Sequence, residues 1–331
     1  MVNQDGIRRI IDECLREYPC ELELIYNEPM AFHTTFRVGG PADCYAKPQG
    51  EGFPAFAACL LRAARADGTP VFILGGGANI VVADRGIRGI VLDTSGWTGK
   101  TEEGDAGPGD GPAMRFRSGT GADAAAELAA GAALSGLEFL AGMPGSIGGA
   151  VWMNARCYER EIADALIETE IIDFSEAEES SKGSVSRFLR IPADRAAFGY
   201  KRSPFQSRPC LILSAGFALK SGREREIRGE MEAHRRNREA KGHYRYPSAG
   251  SAFRNNRAFG KPTGKIIDEL GLRGLRIGGA QVAPFHGNII INAGGAAAGD
   301  IRALTGEVAA RVKAAAGFVL EPEILFVGDW G

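Results

Sequence analysis

Three glycine-rich stretches carry the first readable chemistry. Leu74-Gly75-Gly76-Gly77-Ala78-Asn79 follows an apolar run that begins at Val71. A dinucleotide fingerprint of the GxGxxG kind needs glycine at position 80 and a helix after it, but the chain has Ile80-Val81-Val82-Ala83, which reads as another strand. A glycine-rich turn between strands can still bind phosphate. Successive backbone N–H groups converge into an anion-binding nest, and glycine permits the backbone angles and close approach this needs. The plain alternative is a tight hairpin. In the second stretch, AGMPGSIGGAVWMNA, Pro144, Gly145, Ser146, Gly148 and Gly149 crowd together. Each glycine there costs backbone entropy on folding, so the density points to a backbone pressed against a ligand, the alternative being a run of turns. The third, TTFRVGGP, sets Arg37 beside Gly39-Gly40. Three such loops in the first half of the chain suggest one extended ligand with a pyrophosphate.

The loops need elements to hold them. Ile7, Ile10, Ile11, Cys14 and Leu15 recur at helical spacing until Pro19 stops the helix, and a second helix spans about Phe53 to Ala66. Apolar runs at 71–74, 80–83 and 87–92 read as strands, and an Ala-rich helix covers 122–134. Strands resume at 166–174 and 211–219, with polar loops expected at 101–112 and 176–186. Composition shifts at Ser221, where the charged helix Arg223 to Arg238 is expected to open a new domain as a largely solvated face. A helix at 266–270, strands at 277–283 and 288–292, a long helix at 298–316 and a last strand at 318–327 complete the chain. The alternation makes the class α/β or α+β.

The chain has 331 residues with 39 basic against 41 acidic, so nothing favours nucleic acid as a partner. Its six cysteines are scattered without metal-ligand spacing, which reads as reduced thiols in a cytosolic protein with no metal site. No apolar h-region marks a secretory signal, and no run approaches the ~20 residues of a membrane helix.

The order TTFRVGGPA, LGGGAN, MPGSIGGAVWMNA, then FGYKRSPFQ, YPSAGSAFRN, GLRGLRIGGAQV and LEPEILFVG resembles the UDP-N-acetylenolpyruvoylglucosamine reductases, over roughly Phe32 to Gly328. The resemblance, to the shorter subclass of that family, implies an α+β fold: a two-subdomain FAD-binding fold of the vanillyl-alcohol-oxidase (PCMH) type plus a C-terminal α/β substrate-binding domain. The implied divisions are an N-terminal helix and lead-in over 1–30, the FAD-binding domain over 31–220 (subdomains about 31–95 and 96–220), the substrate domain over 221–317, and a C-terminal strand over 318–331. Cofactor contacts fall to Arg37, Gly75, Gly76, Gly77, Ala78, Asn79, Pro144, Gly145, Ser146, Gly148, Gly149 and Asn154.

The implied reaction takes hydride from NADPH to FAD and then to the vinyl carbon of an enolpyruvyl ether. Ser251, otherwise a turn serine, matches the family's proton donor. Glu323, among apolar neighbours that should raise its pKa by desolvation, matches the catalytic glutamate; Glu321, two positions earlier, shares its face if the segment is a strand. The family's arginine in FGYR is here Lys201, followed by Arg202. Either residue can meet the substrate carboxylate, and strand alternation would aim Arg202 away, which favours Lys201 as catalytic. Arg202, Lys241, Asn255 and His286 match substrate-contacting positions, and Arg156 stands where a small residue is usual. The partner is thus a UDP-amino sugar, and the expected state is a cytoplasmic monomer. Two rivals stand beside this reading: a flavin oxidase on the same scaffold, for which His33 alone could tether flavin in the N-terminal region, and a non-catalytic flavin or nucleotide-sugar binder.

Overall fold

A computed structural model describes residues 4–105, 111–175 and 187–331. The chain forms two compact units. The first comprises Met1–Tyr26, Cys44–Gly76 and Gly89–Arg235; the second comprises Asn27–Asp43, Gly77–Arg88 and Arg236–Gly331.

The first unit opens with α1 (Gln4–Glu17), whose buried Ile7, Ile10, Ile11 and Cys14 form the expected apolar stripe. It continues through β1 (Glu21–Pro29), β2 (Pro41–Gln49), α2 (Phe53–Asp67), β3 (Val71–Leu74) and, after β4 (Ile80–Val82) of the second unit, β5 (Ile87–Asp93). α2 stops at Gly68, left-handed at φ 77°, as a helix does where the chain must turn without a Cβ penalty. The unit holds most of the four-stranded sheet ordered β1-β2-β5-β3, in which β3 and β5 are parallel. α1 and α2 share one core with this sheet, around Phe53, Phe56, Leu60, Ile90 and Leu92.

A second layer follows: β6 (Lys100–Asp105), β7 (Pro112–Arg117), α3 (Ala122–Gly131), α4 (Ile147–Met153), β8 (Leu166–Asp173), β9 (Arg187–Pro192), β10 (Cys210–Ala218) and α5 (Glu224–Ala240). Its five strands run antiparallel in the order β9-β8-β10-β7-β6. Ala125, Ala126, Ala129 and Ala130 line the inner face of α3 beside Phe116, Phe139 and Phe217, so the small residues let the helix lie close to the sheet. β6 and β7 narrow the loop expected over 101–112; residues 106–110, and the loop expected over 176–186, lie outside the described residues.

α5 departs from the expected domain opening. Ile227 and Met231 enter the same core, and Arg235 bonds Asp123 at 2.7 Å and Glu127 at 2.5 Å on α3. Those two apolar residues, masked in sequence by the surrounding charges, hold the helix in the first unit as far as Arg235.

The second unit adds α6 (Thr263–Glu269), β11 (Arg276–Ile277), β12 (Ala280–Val282), β13 (Ile290–Asn292), α7 (Ala298–Ala316) and β14 (Leu325–Val327). Ile301, Leu304, Val308 and Val312 of α7 pack with Phe36, Val81, Ile266 and Ile290. β14 pairs in parallel with β4, Leu325 opposite Ile80, which draws residues 77–88 into this unit. Asp84 in the same segment caps α7, accepting Ala298 and Gly299 N–H at 2.8 Å each, where a carboxylate complements the helix dipole. The last strand starts at Leu325 rather than Phe318. All six cysteines are free thiols. Among the described residues no helix is long and apolar enough to cross a membrane, and no acidic, His or Cys cluster suits a metal.

Candidate active site

In the first unit the glycine loops lie against each other. A Cβ on Gly76 would stand 2.6 Å from Gly145 Cα, and one on Gly75 would stand 2.8 Å from Ser146 Oγ. Ser146 caps α4, its Oγ accepting Gly149 N–H at 3.4 Å and Gly76 N–H at 3.3 Å. A further loop, Ser118 to Gly121, brackets them: Gly148 N–H reaches Ser118 O and Ile147 N–H reaches Thr120 O, both at 2.8 Å, and Gly121 bridges Ser146. The sequence reading passed over this RSGTGA segment, although Gly119 and Gly121 between a strand and an Ala-rich helix were a usable signal. Gly148 is also crowded, its Cβ position 2.8 Å from Ser118 Cβ, whereas that of Gly149 meets only Ser146 Oγ at 3.5 Å. Much of the glycine density therefore serves backbone crossing backbone, and Gly149 is left with room for a ligand. Pro144 lies exposed at the edge of the loop.

In the second unit, Gly77 (φ 60°) leaves a Cβ position 1.9 Å from His33 O, and Thr35 N–H bonds Gly77 O at 3.1 Å. Arg37 is exposed at φ 54°, beside the Thr34 hydroxyl that ties down Val38 O at 2.9 Å. Asn79, just past half-buried Ala78, donates to Glu323 O at 3.0 Å and accepts Leu325 N–H at 2.9 Å, fixing the catalytic candidate's backbone to the glycine loop. The buried hydroxyls of Thr35 and Ser118 have no hydrogen-bond partner within the protein. Such groups cost about 1–3 kcal/mol each unless something pairs them. In the first unit the Ser118 hydroxyl among close-packed glycines fits a ligand rich in acceptor oxygens, as a dinucleotide is; in the second, the Thr35 hydroxyl lies beside Gly77.

Ser251 and Glu323 come together in the second unit. Ser251 bridges Ile289, and the next residue, Ala252, accepts Glu323 N–H at 2.8 Å. The Asn288 amide clasps Phe253, accepting from its N–H at 2.9 Å and donating to its carbonyl at 2.8 Å. Asn288 is 2% exposed, and sequence reasoning had no signal for it. The segment around Glu323 is not a strand, so alternation does not decide between the two glutamates; burial separates them, Glu323 at 6% and the Glu321 side chain at 72%.

Lys201 lies in the first unit on a tight turn. Gly199 and Arg202 exchange backbone hydrogen bonds at 2.9 and 3.0 Å, leaving Tyr200 and Lys201 at the tip. Strand alternation therefore does not apply here either. Lys201 is half-buried at φ 56°; Arg202 is exposed, its Nε 3.5 Å from the Cβ position of Gly199, folded back over its own turn. Asn154 is fully buried; its amide donates to Gly199 O at 2.9 Å and accepts Ala163 N–H at 3.1 Å. Both ends of this amide, expected among the cofactor contacts, bond to protein, and they hold the lysine turn. Arg156 sits 3.3 Å from Glu159 and 3.9 Å from Glu161, which balance its charge.

The remaining substrate candidates lie in the second unit. Asn255 accepts Thr263 N–H at 2.9 Å, capping the start of α6. Lys241 is exposed next to a pair of imidazoles. His243 is pushed down to about 4 by burial, then by Arg238, His286 and Lys241; burial also lowers His286, whose Nδ1 accepts Asn288 N–H at 3.1 Å. Tyr246 stacks on Phe285 with centroids 6.5 Å apart, beneath Arg245.

The sequence model of the UDP-N-acetylenolpyruvoylglucosamine reductase C-terminal domain matches residues 242–327, and that of an FAD binding domain matches 57–178. A reductase of that name from Treponema denticola is 39% identical, covering 92% of this chain and 94% of the relative; one from Pediococcus pentosaceus is 36% identical, covering 97% and 99%. The crystal structure of the UDP-N-acetylenolpyruvylglucosamine reductase from Thermus caldophilus aligns with TM-score 0.68 at 31% identity, over 93% of this chain and 99% of that one. The chain belongs to the UDP-N-acetylenolpyruvoylglucosamine reductase family. Its fold is the family's: an FAD-binding part with a distinct C-terminal domain, and FAD is its cofactor. Family membership also gives the small motifs their weight, since Ser251 and Glu323 both fall inside the matched C-terminal domain.

Two outcomes follow for this site. Gly77→Ala should cost roughly 2–4 kcal/mol, from overpacking plus a left-handed residue, read as a fall in the denaturation midpoint. Gly149→Ala, with an open Cβ position in a helix, should keep the fold and instead loosen flavin, read by fluorescence of released FAD. The second outcome is a pH effect. His243 is neutral in the folded chain down to about pH 4, while its unfolded form protonates near 6.5. Between those values the unfolded state binds more protons, so stability falls as pH falls through that window. His243→Gln should flatten this part of the urea-midpoint profile; an unchanged slope would place the pH dependence on other groups.

Proposed function

We propose that this protein reduces UDP-N-acetylglucosamine enolpyruvate to UDP-N-acetylmuramate, a step in peptidoglycan precursor synthesis, with NADPH as reductant. The observation that carries the reading is the pairing of Ser251 with buried Glu323 through Ala252, with Asn79 of the glycine loop holding the Glu323 carbonyl.

FAD supplies the hydride that reaches the terminal vinyl carbon, once NADPH has reduced it. The chain's task is then to hold the substrate, accommodate charge and deliver a proton. Gly75, Gly76, Ser146 and Gly149, with the Ser118 hydroxyl, hold the dinucleotide; Arg37, Gly77, Ala78, Pro144, Gly145 and Gly148 shape its loops. Ser251 gives its hydroxyl proton to the carbon next to the carboxylate, a base strong enough to take it from a serine. Glu323, held out of water beside the Ser251 loop, acts on the developing enolate. Lys201 meets the substrate carboxylate as a point charge. A non-glycine residue held at φ 56° costs about 1–2 kcal/mol, and strain of this kind persists where function requires the side chain. Lys241 receives the UDP diphosphate, Asn255 and His286 contact the substrate, and Arg202 is the alternative contact for its carboxylate.

Flavin binding belongs to the 31–220 portion and substrate binding to 221–317, with 318–331 supplying Glu323; the packing of α5 supports moving the boundary to Arg236. The protein works as a cytoplasmic monomer. A tethered-flavin oxidase is disfavoured because the His33 ring already pairs with Glu28 at 2.9 Å.

Lys201→Arg should keep much of the turnover. Lys201→Gly should fold at least as stably as the parent, freed of the positive-φ penalty, yet lose turnover; Arg202→Ala should be milder. A Lys201→Gly enzyme that still turns over would move the carboxylate contact to Arg202. The half-reactions test Ser251. Bleaching of the flavin by NADPH needs no proton from it and should proceed in Ser251→Ala at a near-normal rate. Reoxidation by the enolpyruvyl substrate should slow by roughly 10²–10⁴-fold, the loss of one positioned acid. Ser251→Cys should recover part of that, and Glu323→Gln should be milder than Glu323→Ala. Stopped-flow flavin absorbance separates the phases, and equal slowing of both in Ser251→Ala would reduce the serine to a shaping role.

A further inference from the structure

Cys14 on α1 and Cys59 on α2 face each other with their sulfurs 2.7 Å apart, 45 positions apart in sequence. Both are free thiols, 1% and 5% exposed, and neither takes part in the chemistry above. The separation is within about 1 Å of the roughly 2.05 Å of a sulfur–sulfur bond, so a small movement of the two side chains would close it. Arg62 places a guanidinium 3.7 Å from the Cys59 sulfur.

We propose that Cys14 and Cys59 form an intramolecular disulfide that locks the N-terminal helix onto α2 when the protein meets a thiol oxidant such as hydrogen peroxide. The Cys59 sulfur attacks one peroxide oxygen, the O–O bond breaks, and a sulfenic acid and water result. The Cys14 sulfur then attacks the Cys59 sulfur, the S–O bond breaks, and the departing hydroxide takes the thiol proton as a second water. Overall, two thiols and one peroxide become one disulfide and two waters. Burial, and the hydrogen bond to Cys59, push the Cys14 thiol up, so it stays protonated at rest and the reaction waits on brief opening of α1. Once formed, the bond closes a long loop and restricts the unfolded chain.

Flavin-loaded protein treated with a small excess of hydrogen peroxide and then denatured should titrate four thiols in place of six. The tryptic peptide Ile10–Arg16 should be joined to the peptide containing Cys59. Amide exchange across Gln4–Glu17 should slow, and Tm should rise by roughly 5 °C. Cys14→Ser and Cys59→Ser should each abolish the cross-link and both stability effects, with flavin content unchanged. Thiol loss mapping to Cys20, Cys44, Cys157 or Cys210, sulfinic acid without a cross-link, or a cross-link that leaves α1 exchange unchanged would each overturn the proposal. The tryptic peptide with Cys59, Val38–Arg62, also carries Cys44, so fragment-ion sequencing of the cross-linked peptide from the parent protein assigns the bond even if a serine variant fails to fold.

Discussion

The close approach of backbone to backbone at Gly75, Gly76 and Gly77 is the constraint on which the site depends. In the first unit the run presses on Gly145 and Ser146; at Gly77, the first residue of the second unit's segment, it presses on the carbonyl of His33. A β-carbon at any of the three would have to displace neighbouring atoms, and at Gly76 and Gly77 those atoms are backbone. Glycine here is thus a packing requirement before it is a binding device. The consequence for binding is indirect: with side chains excluded, the loops cross closely, their N–H groups bond to one another's carbonyls and to Ser146 Oγ, and Gly149 is left with room beside them.

The same run continues into the catalytic segment. Asn79 spends its side chain on the Glu323 carbonyl and its own carbonyl on Leu325 N–H, which starts the pairing of β14 with β4. From the other side, Asn288 fills both hydrogen-bonding ends of its amide on Phe253, and the Ala252 carbonyl takes Glu323 N–H. The backbones of Ser251 and Glu323, 72 positions apart in the numbering, are therefore set by a short ladder of hydrogen bonds. A buried amide left half-satisfied would cost more than the bond it makes, so each asparagine fixes its partner's position as well as stabilising it.

Periodicity made α1, α2 and α7 legible, because each shows an apolar stripe over three or more turns. The glycine loops were legible as loops, though not as a crossing, since their partners lie 70 residues away, as Gly76 does from Ser146. α5 misled because charge dominates its composition while Ile227 and Met231 alone decide where it packs. The stretch before β14 misled because its apolar residues imitate a strand, whereas only Pro322 makes an isolated bridge there. The interleaving of residues 27–43 and 77–88 with the C-terminal segment left no trace in local sequence, since it rests on β4 pairing with a strand at the far end of the chain.

The lysine turn shows what a departure from a family motif requires. A planar guanidinium binds a carboxylate well in one orientation, so an arginine tolerates little error in its backbone. An ammonium has no preferred plane and a longer list of workable rotamers, so position matters more than direction. The structure supplies position: Asn154 grips Gly199 at one end of the turn, Gln206 grips the Lys201 carbonyl at 3.2 Å, and Gly199 and Arg202 close the turn on themselves. The turn holds a left-handed lysine because these bonds outweigh the penalty of roughly 1–2 kcal/mol. A neighbour like Arg202, folded back over the same turn, can then vary without moving Lys201. On the proposed reading, lysine in the arginine's place changes how precision is reached, from the shape of the side chain to the rigidity of the loop beneath it.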